Sequence, residues 1–222
     1  IPLVMIDRNI YSLDANYISF NNRVLMRDMV DSLLVGNYKN IYLMSGPDSF
    51  ECEAECIRGF CDSYRNHGVY PAKELFLKTD MSKEDAFRKT IRLLKNHYPD
   101  AIVATSQSLA AGIIEGITIL GYTIQNIPVF TLGEEHWNLH THSFASGSTV
   151  RPAMKLGQLA AKLLTEQLSS PLTKETERII LSGGHFSNYK HTLPLRSSSL
   201  EDSSPKEATY TKKIRALLLD TP

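Results

Sequence analysis

Residues 99–121 read PDAIVATSQSLAAGIIEGITILG. Within them Ala101 to Ala104 (AIVA) is a short unbroken apolar run, the pattern of a strand buried on both faces. Gln107 to Leu120 follows as an apolar, Gly-containing helix that stops at Gly121. A buried strand followed at once by a helix is one βα unit, and the same unit recurs on both sides. Upstream, Asn40 to Ser45 (NIYLMS) is broken by Gly46-Pro47-Asp48 and followed by a helix from Glu51 to His67. Leu75 to Lys78 is a short strand, and Ser82 caps a helix from Lys83 to Asn96, with Asp85 three residues on. Further upstream, Ile1 to Ile6 (IPLVMI) is a strand ending at Asp7-Arg8. Tyr17 to Phe20 (YISF) is another, closed by Asn21-Asn22, and Val24 to Val35 has helical spacing up to Gly36-Asn37. Downstream, Pro128 to Leu132 (PVFTL) ends at Gly133-Glu134-Glu135. Ser148 to Val150 is extended, Pro152 opens a helix to about Leu168, and Arg178 to Leu181 (RIIL) is the last strand. Ser182 to Gly184 reads as a turn. From Ser197 the pattern decays into a polar, low-complexity linker, with one short amphipathic helix expected over Tyr210 to Leu219.

Strands alternating with helices imply an α/β fold with parallel sheets and helices on both faces. In such sheets ligands sit at the carboxyl ends of the strands. Here those ends carry Asp7-Arg8, Asn21-Asn22, Pro47-Asp48, Ser106-Gln107 and Glu134-Glu135. A pocket lined this way suits a small, hydroxyl-rich or polar ligand.

Composition narrows the function. The chain has 222 residues, with 24 Lys plus Arg against 24 Asp plus Glu, a formal net charge of zero. A domain that grips nucleic acid by itself usually carries a basic excess, because phosphate neutralisation supplies most of the affinity. Hydrophobic residues at 42% and charged residues at 22% are ordinary for a globular protein and wrong for a disordered one. No apolar stretch reaches the roughly 18 residues of a membrane span, and a cytoplasmic setting is expected. Cys52, Cys56 and Cys61 form an odd, local set that reads as free helix thiols rather than a disulfide framework or a metal site. The chain opens at Ile1 with neither an initiator Met nor a secretory leader, so it reads as a piece of something longer.

Enzyme signatures are lacking. There is no G-x-x-x-x-G-K phosphate loop and no G-x-S-x-G elbow. Asp7 and Glu134 could pair for acid–base work, but no nucleophile or metal falls in register, and hydrogen bonding to a ligand is the better use. The stretch Glu134 to His142 is dense in carboxylates and imidazoles and reads as a polar rim rather than a metal site. Trp137, the sole tryptophan, is placed to stack on a ligand face. No cofactor is expected.

The succession IPLVMIDR, FNN, NYKNIYLMSGP, ECIRGF, TDMS, PDAIVATSQSLAAG, LGYTIQNIPVFTLGEE and STVRPAMKLGQLAAKLL resembles the effector-sensing domain of the lactose-repressor/galactose-repressor (LacI/GalR) family, from Ile1 to about Asn188. The resemblance implies a two-lobed, periplasmic-binding-protein-like (type I) fold with the ligand between the lobes, here with an incomplete amino-terminal lobe. It assigns 1–37 and 148–172 to the amino-terminal lobe. It assigns 38–147 and 173–190 to the carboxyl-terminal lobe, and leaves 191–222 as linker and short helix. Effector-binding roles are expected for Asp7 and Asp48 from their strand ends and for Trp137 from its ring, and the resemblance implies such roles for Asn21, Asn22, Cys56, Met81, Gln107, Glu134 and Arg151. Cys56 falls where the family has an effector-gripping Arg, Met81 where it has an aromatic, Ser106-Gln107 where it has Asn-Asp, and Arg151 where it has Gln. The implied function is sensing of a sugar or related polar metabolite, with no bond made or broken. The implied partners are a small-molecule effector, a second copy in a homodimer, and DNA reached only through a helix-turn-helix headpiece outside this chain; no membrane is involved. A solute-binding protein of a sugar transporter is the alternative on the same fold.

Overall fold

The apolar runs and helical stripes become nine strands and five helices along the described residues, which are 1–10, 12–134, 145–169 and 176–188 of a computed structural model. The strands are β1 (Val4–Ile6), β2 (Asn16–Phe20), β3 (Ile41–Ser45), β4 (Phe76–Lys78), β5 (Ala101–Ala104), β6 (Val129–Glu134), β7 (Gly147–Arg151), β8 (Arg178–Leu181) and β9 (His185–Asn188). The helices are α1 (Asn22–Val35), α2 (Glu51–Asn66), α3 (Lys83–Leu94), α4 (Gln107–Ile119) and α5 (Ala153–Ser169). The fold is α/β with mainly parallel sheets. A six-stranded sheet has the order β4-β3-β5-β6-β7-β9, and a three-stranded sheet the order β1-β2-β8. All ladders are parallel except β7 with β9.

Alternation along the central strands builds two cores. Ile41, Leu43, Val103, Phe130 and Leu132 face Met29, Leu33 and Phe60 of α1 and α2. Tyr42, Met44, Ile102 and Val129 face Leu109, Ile113 and Ile117 of α4 on the other side. The first core runs on into the small sheet through Ile18, Phe20 and Leu181, where α5 covers it with Leu156, Ala160 and Leu163. These three residues recur at i, i+4 and i+7, one face of a helix. At Gly59 an added Cβ would stand 2.2 Å from the Arg23 carbonyl oxygen, so α1 and α2 meet backbone to side on a glycine.

The expected lobe boundaries are corrected at three places. Helix α1 was expected with the small-sheet lobe, but it packs along α2 and against β7 and β9. Residues 147–151, the start of the segment given to the same lobe, form β7 of the large sheet, from Phe130↔Gly147 to Glu134↔Arg151. The chain leaves that sheet only at Pro152, which has no N–H to donate to a ladder. Conversely β8, expected in the large-sheet lobe, pairs with β2 from Tyr17↔Arg178 to Phe20↔Leu181. The following His185–Asn188 is a strand that the sequence reading missed, and it returns to the large sheet. The chain therefore passes between the sheets at Asn21-Asn22, at Arg151-Pro152 and at Ser182–Gly184. Gly183 and Gly184 have φ of 118° and 122° at the last of these. A Cβ at Gly184 would come within 2.6 Å of the Val150 oxygen, so both conformation and space require glycine there.

Candidate functional site

Two of the three passages and the ends of four strands meet at one seam. A cavity of about 80 Å³ lies there, lined by Asp7, Arg8, Asn22, Cys52, Glu53, Cys56, Met81, Thr105, Ser106 and Arg151. Asp7 comes from the small sheet. Its backbone has a φ of 58°, a left-handed conformation that Asp tolerates better than most residues. Its amide donates to the Ile18 carbonyl at 2.8 Å, so the turn is tied back to β2. Its carboxylate accepts from Ser19 Oγ at 2.8 Å and from Asn22 Nδ2 at 3.3 Å. Arg151, at the end of β7, brings a guanidinium to within 3.9 Å of the same carboxylate. That guanidinium lies 5.0 Å from the Phe20 ring centroid, a cation–π stack across the seam.

From the large sheet come α2 and the tips of β3, β4 and β5. Glu53 is 4% exposed, and its Oε2 accepts from the Gly46 amide and from Thr105 Oγ1, both at 2.7 Å. One carboxylate thus joins α2 to the ends of β3 and β5. Cys56 is buried one turn further along α2. Burial pushes its thiol well above the ordinary range, Glu53 adds to the effect, and Arg151 opposes it. Burial likewise lifts Cys52 to about 11, with Asp7 and Glu53 contributing. Both stay protonated at neutral pH, so neither is an activated nucleophile. Met81 closes the far side with a φ of 71°. Its side chain fills the space over Gly46, where an added Cβ would meet Met81 Cγ at 2.6 Å. Arg8 reaches across to Met81 Sδ at 3.7 Å and stacks over the Phe50 ring at 4.7 Å.

Of the residues singled out from sequence, Asp7, Asn22, Cys56, Met81 and Arg151 line this cavity together. Asn21 stands at the edge of the seam, where its Oδ1 accepts from the Val24 amide at 3.2 Å and caps α1. Asp48 is exposed and paired with Lys78. Gln107 opens α4 just after the Ser106 cap, and its buried Nε2 has no partner. Glu134 ends β6 directly opposite Arg151 in the ladder. Trp137 and the rest of the His-rich stretch lie outside the described residues. Sequence reasoning placed Arg8 at a strand end without giving it a role, read Cys52 as a plain helix thiol, and passed over Glu53 and Thr105. The signal for Glu53 was present: it occupies the same helical stripe as Cys56, Phe60 and Ser63, where a carboxylate needs partners.

Among the described residues no group of three His, Cys, Asp or Glu is placed to hold a metal ion, and no helix is long and apolar enough to cross a membrane. The cavity can donate and accept hydrogen bonds from both sheets and carries charges of both signs.

A model of the periplasmic binding protein-like domain family matches residues 30–184. No curated protein matches the sequence. Among solved structures, the fold is similar to the transcriptional regulator CelR in complex with cellobiose, at 18% identity and a TM-score of 0.73 over 83% of this chain and 57% of that one. It is also similar to the transcription regulator CcpA of Lactococcus lactis, at 16% identity and a TM-score of 0.74, covering 84% and 68% of the two chains. A third is a LacI family transcriptional regulator from Enterococcus faecium with bound ribose, at 18% identity and a TM-score of 0.69, covering 84% and 69%. The chain spans little more than half the length of the cellobiose-bound regulator.

Proposed function

The chain belongs to the family of periplasmic binding protein-like domains, and on that premise we propose that it senses a sugar or related polar metabolite for a DNA-binding regulator of the LacI/GalR kind. One observation carries the reading. Asp7 and Asn22 from one side of the seam, and Cys56, Met81 and Arg151 from the other, line a single cavity where the chain passes between two sheets. Ligands of open α/β sheets bind at such strand ends. The solved structures with cellobiose and ribose support the ligand class.

At about 80 Å³ the cavity is well below the size that encloses a typical small ligand. A sugar ring enters only if the two sheets part, or if Arg151 and Met81 swing aside. Such a rotation would be taken up at the three passages between the sheets. A ligand that binds one lobe arrangement more tightly shifts the population toward it. In a homodimer that shift would reset the spacing of two headpieces outside this chain, and so their grip on two half-sites. No bond is made or broken in this scheme, and the buried, protonated thiols are not asked to react.

The test is thermal stabilisation by a panel of sugars, nucleosides and phosphorylated sugars, with Asp7→Ala as the paired variant. A carboxylate that accepts from a ligand hydroxyl contributes roughly 1.5–3 kcal/mol. Asp7→Ala should therefore weaken the best ligand at least about tenfold, read as the shift from the variant's own unliganded melting temperature, which is itself lowered because Ser19 and Asn22 lose their acceptor. No stabilisation by any member of the panel would remove the sensing role. Operator binding by the full-length protein separates a regulator from a transporter's solute-binding protein.

A further inference from the structure

α5 covers one face of the small sheet, over Ile18, Phe20 and Leu181. The opposite face carries Tyr17, Arg178 and Ile180, and among the described residues no helix packs along it. The first turns of α2 stand over it instead, across a cavity of about 220 Å³ lined by Tyr17, Ser19, Glu51, Cys52, Glu55 and Arg178. Around that gap the two sides meet through side-chain tips. Glu51, the first residue of α2, pairs with Arg178 of β8 and accepts from Asn9 Nδ2 at 3.4 Å. The Arg178 guanidinium is held in place by stacking 4.7 Å over the Tyr17 ring. Phe50, the N-cap of α2, takes the Arg8 guanidinium over its own ring. Three side chains from the small sheet and its β1 turn therefore grip two neighbouring residues of the large-sheet side.

These contacts differ from the rest of the boundary. The apolar core continues between the sheets through Ile18, Phe20 and Leu181, and the chain itself crosses only at the three passages. None of Arg8, Asn9, Phe50, Glu51 and Arg178 lies in a passage or in that core, so their contacts can part while both sides stay folded. The Arg178 side chain is 49% exposed, which leaves the ion pair within reach of salt. Cys52 and Cys56, one turn apart on α2, line the seam cavity beside this grip and are both buried.

We propose that Arg178 closing on Glu51, with Asn9 and Arg8 beside it, is a latch that keeps the seam shut when no ligand is bound and so sets how often the effector cavity opens. The inference rests on the reading that the sheets part to admit a ligand, and it names what holds them together. A ligand that enters only the open form binds with an affinity reduced by the fraction of molecules that are open. Neither Glu51 nor Arg178 lines the seam cavity, so the latch tunes apparent affinity from outside the site. Both are positioning residues in this scheme.

The seam thiols report opening without any ligand. The full chain is reacted with N-ethylmaleimide at neutral pH and low salt, and each cysteine is followed separately by peptide mass spectrometry. Cys61, partly exposed on α2 and outside the cavity, is the reference. Cys56 should react far more slowly than Cys61 in the parent chain. Arg178→Gln removes the charge from the small-sheet side and leaves α2 unaltered. It should speed Cys56 about two- to fivefold, the range that one partly exposed ion pair can supply, with Cys61 unchanged. Glu51→Gln should act the same way. Arg58→Gln, which removes an arginine paired with Glu55 within α2, should leave Cys56 at the parent rate. Added salt should speed Cys56 in the parent chain and much less in Arg178→Gln. Denaturation midpoints of each variant give the share of labelling that passes through global unfolding. Unchanged Cys56 labelling in Arg178→Gln, equal acceleration by Arg58→Gln, a parent rate indifferent to salt, or an acceleration fully accounted for by lost global stability would each overturn the latch. No sugar enters this experiment. A latch that opens on mutation while no sugar stabilises the chain would stand without the sensing role, and stabilisation by a sugar with unchanged labelling would leave sensing in place and remove the latch.

Discussion

The large and small sheets solve the same problem to different degrees. In the large sheet β3 and β5 are buried at every residue, with helices on both faces. In the small sheet β2 is buried throughout, but its neighbours are not: β1 exposes Ile6, and β8 exposes Arg178 and Ile180. The difference separates two jobs. The large sheet carries the bulk of the packed core and presents fixed groups such as Glu53 and Thr105 to the seam. The small sheet adds Asp7 and Asn22 to the same seam through a lighter body that turns at lower cost. Regions that move in binding are drawn from the less stable parts of a fold.

The comparison breaks first if truncating an apolar side chain on the open face of the small sheet costs as much as truncating one in the core beside the large sheet. Phe60 is fully buried, with its ring centroid 5.0 Å from that of Tyr64 and 5.3 Å from that of Phe76. Phe60→Ala should cost about 3–5 kcal/mol. Ile180 on the small sheet is 42% exposed, and Ile180→Ala should stay within about 0.5 kcal/mol, as surface changes usually do. Chemical denaturation midpoints of the two variants decide it. Similar losses would mean that the small sheet is as much a part of the stable core as the large one.

The same contrast governs what could be read from sequence. Runs such as AIVA and NIYLMS announce strands because both faces are buried, so nothing polar interrupts them. HFSN at His185–Asn188 has no such run. It becomes a strand only because β7 offers a free edge to pair with, a tertiary cause that leaves no local mark. The lobe boundaries failed for a related reason. Which sheet β7 or β8 joins is decided by long-range ladders, not by any residue within the strand. Of the residues lining the cavity, strand-end polarity singled out Asp7 and Asn22, and the family resemblance singled out Cys56, Met81 and Arg151. Asp48 was drawn in by the same strand-end rule, but its side chain turns to solvent and Lys78. Glu53 was hidden because a glutamate in a helix is unremarkable until its partners arrive from β3 and β5.

Glu53 gives the next test, at the point where the large sheet meets the seam. Glu53→Ala leaves the Gly46 amide and the Thr105 hydroxyl without their acceptor. Stranding buried donors costs about 1–3 kcal/mol. Glu53→Gln keeps an acceptor oxygen in place and should lose less than the alanine variant. If the two variants unfold at the same denaturant concentration, Glu53 acts by filling space, and the large sheet's side of the seam is held by packing alone.

The smallest effect is expected at the solvent edge of the α1–α2 contact, where Arg23 Nε lies 2.5 Å from Asp62. The hydrogen bond from Arg23 holds the Asp62 carboxyl below the usual carboxylate range. A carboxyl depressed in the folded state adds stability that is present above its unfolded pKa of about 3.9. That contribution is lost as pH falls through the lower, folded value. The pair is partly open to water, so Asp62→Asn should cost less than about 1 kcal/mol at neutral pH. The acid limb of its stability curve should be correspondingly shallower than that of the parent chain. Denaturation midpoints followed from neutral pH down through the carboxylate range would show both effects. A loss of several kcal/mol would place the stability of this region in its surface charges. The weight given to the glycine-mediated contact at Gly59 and to the Phe60 cluster would then have to move outward.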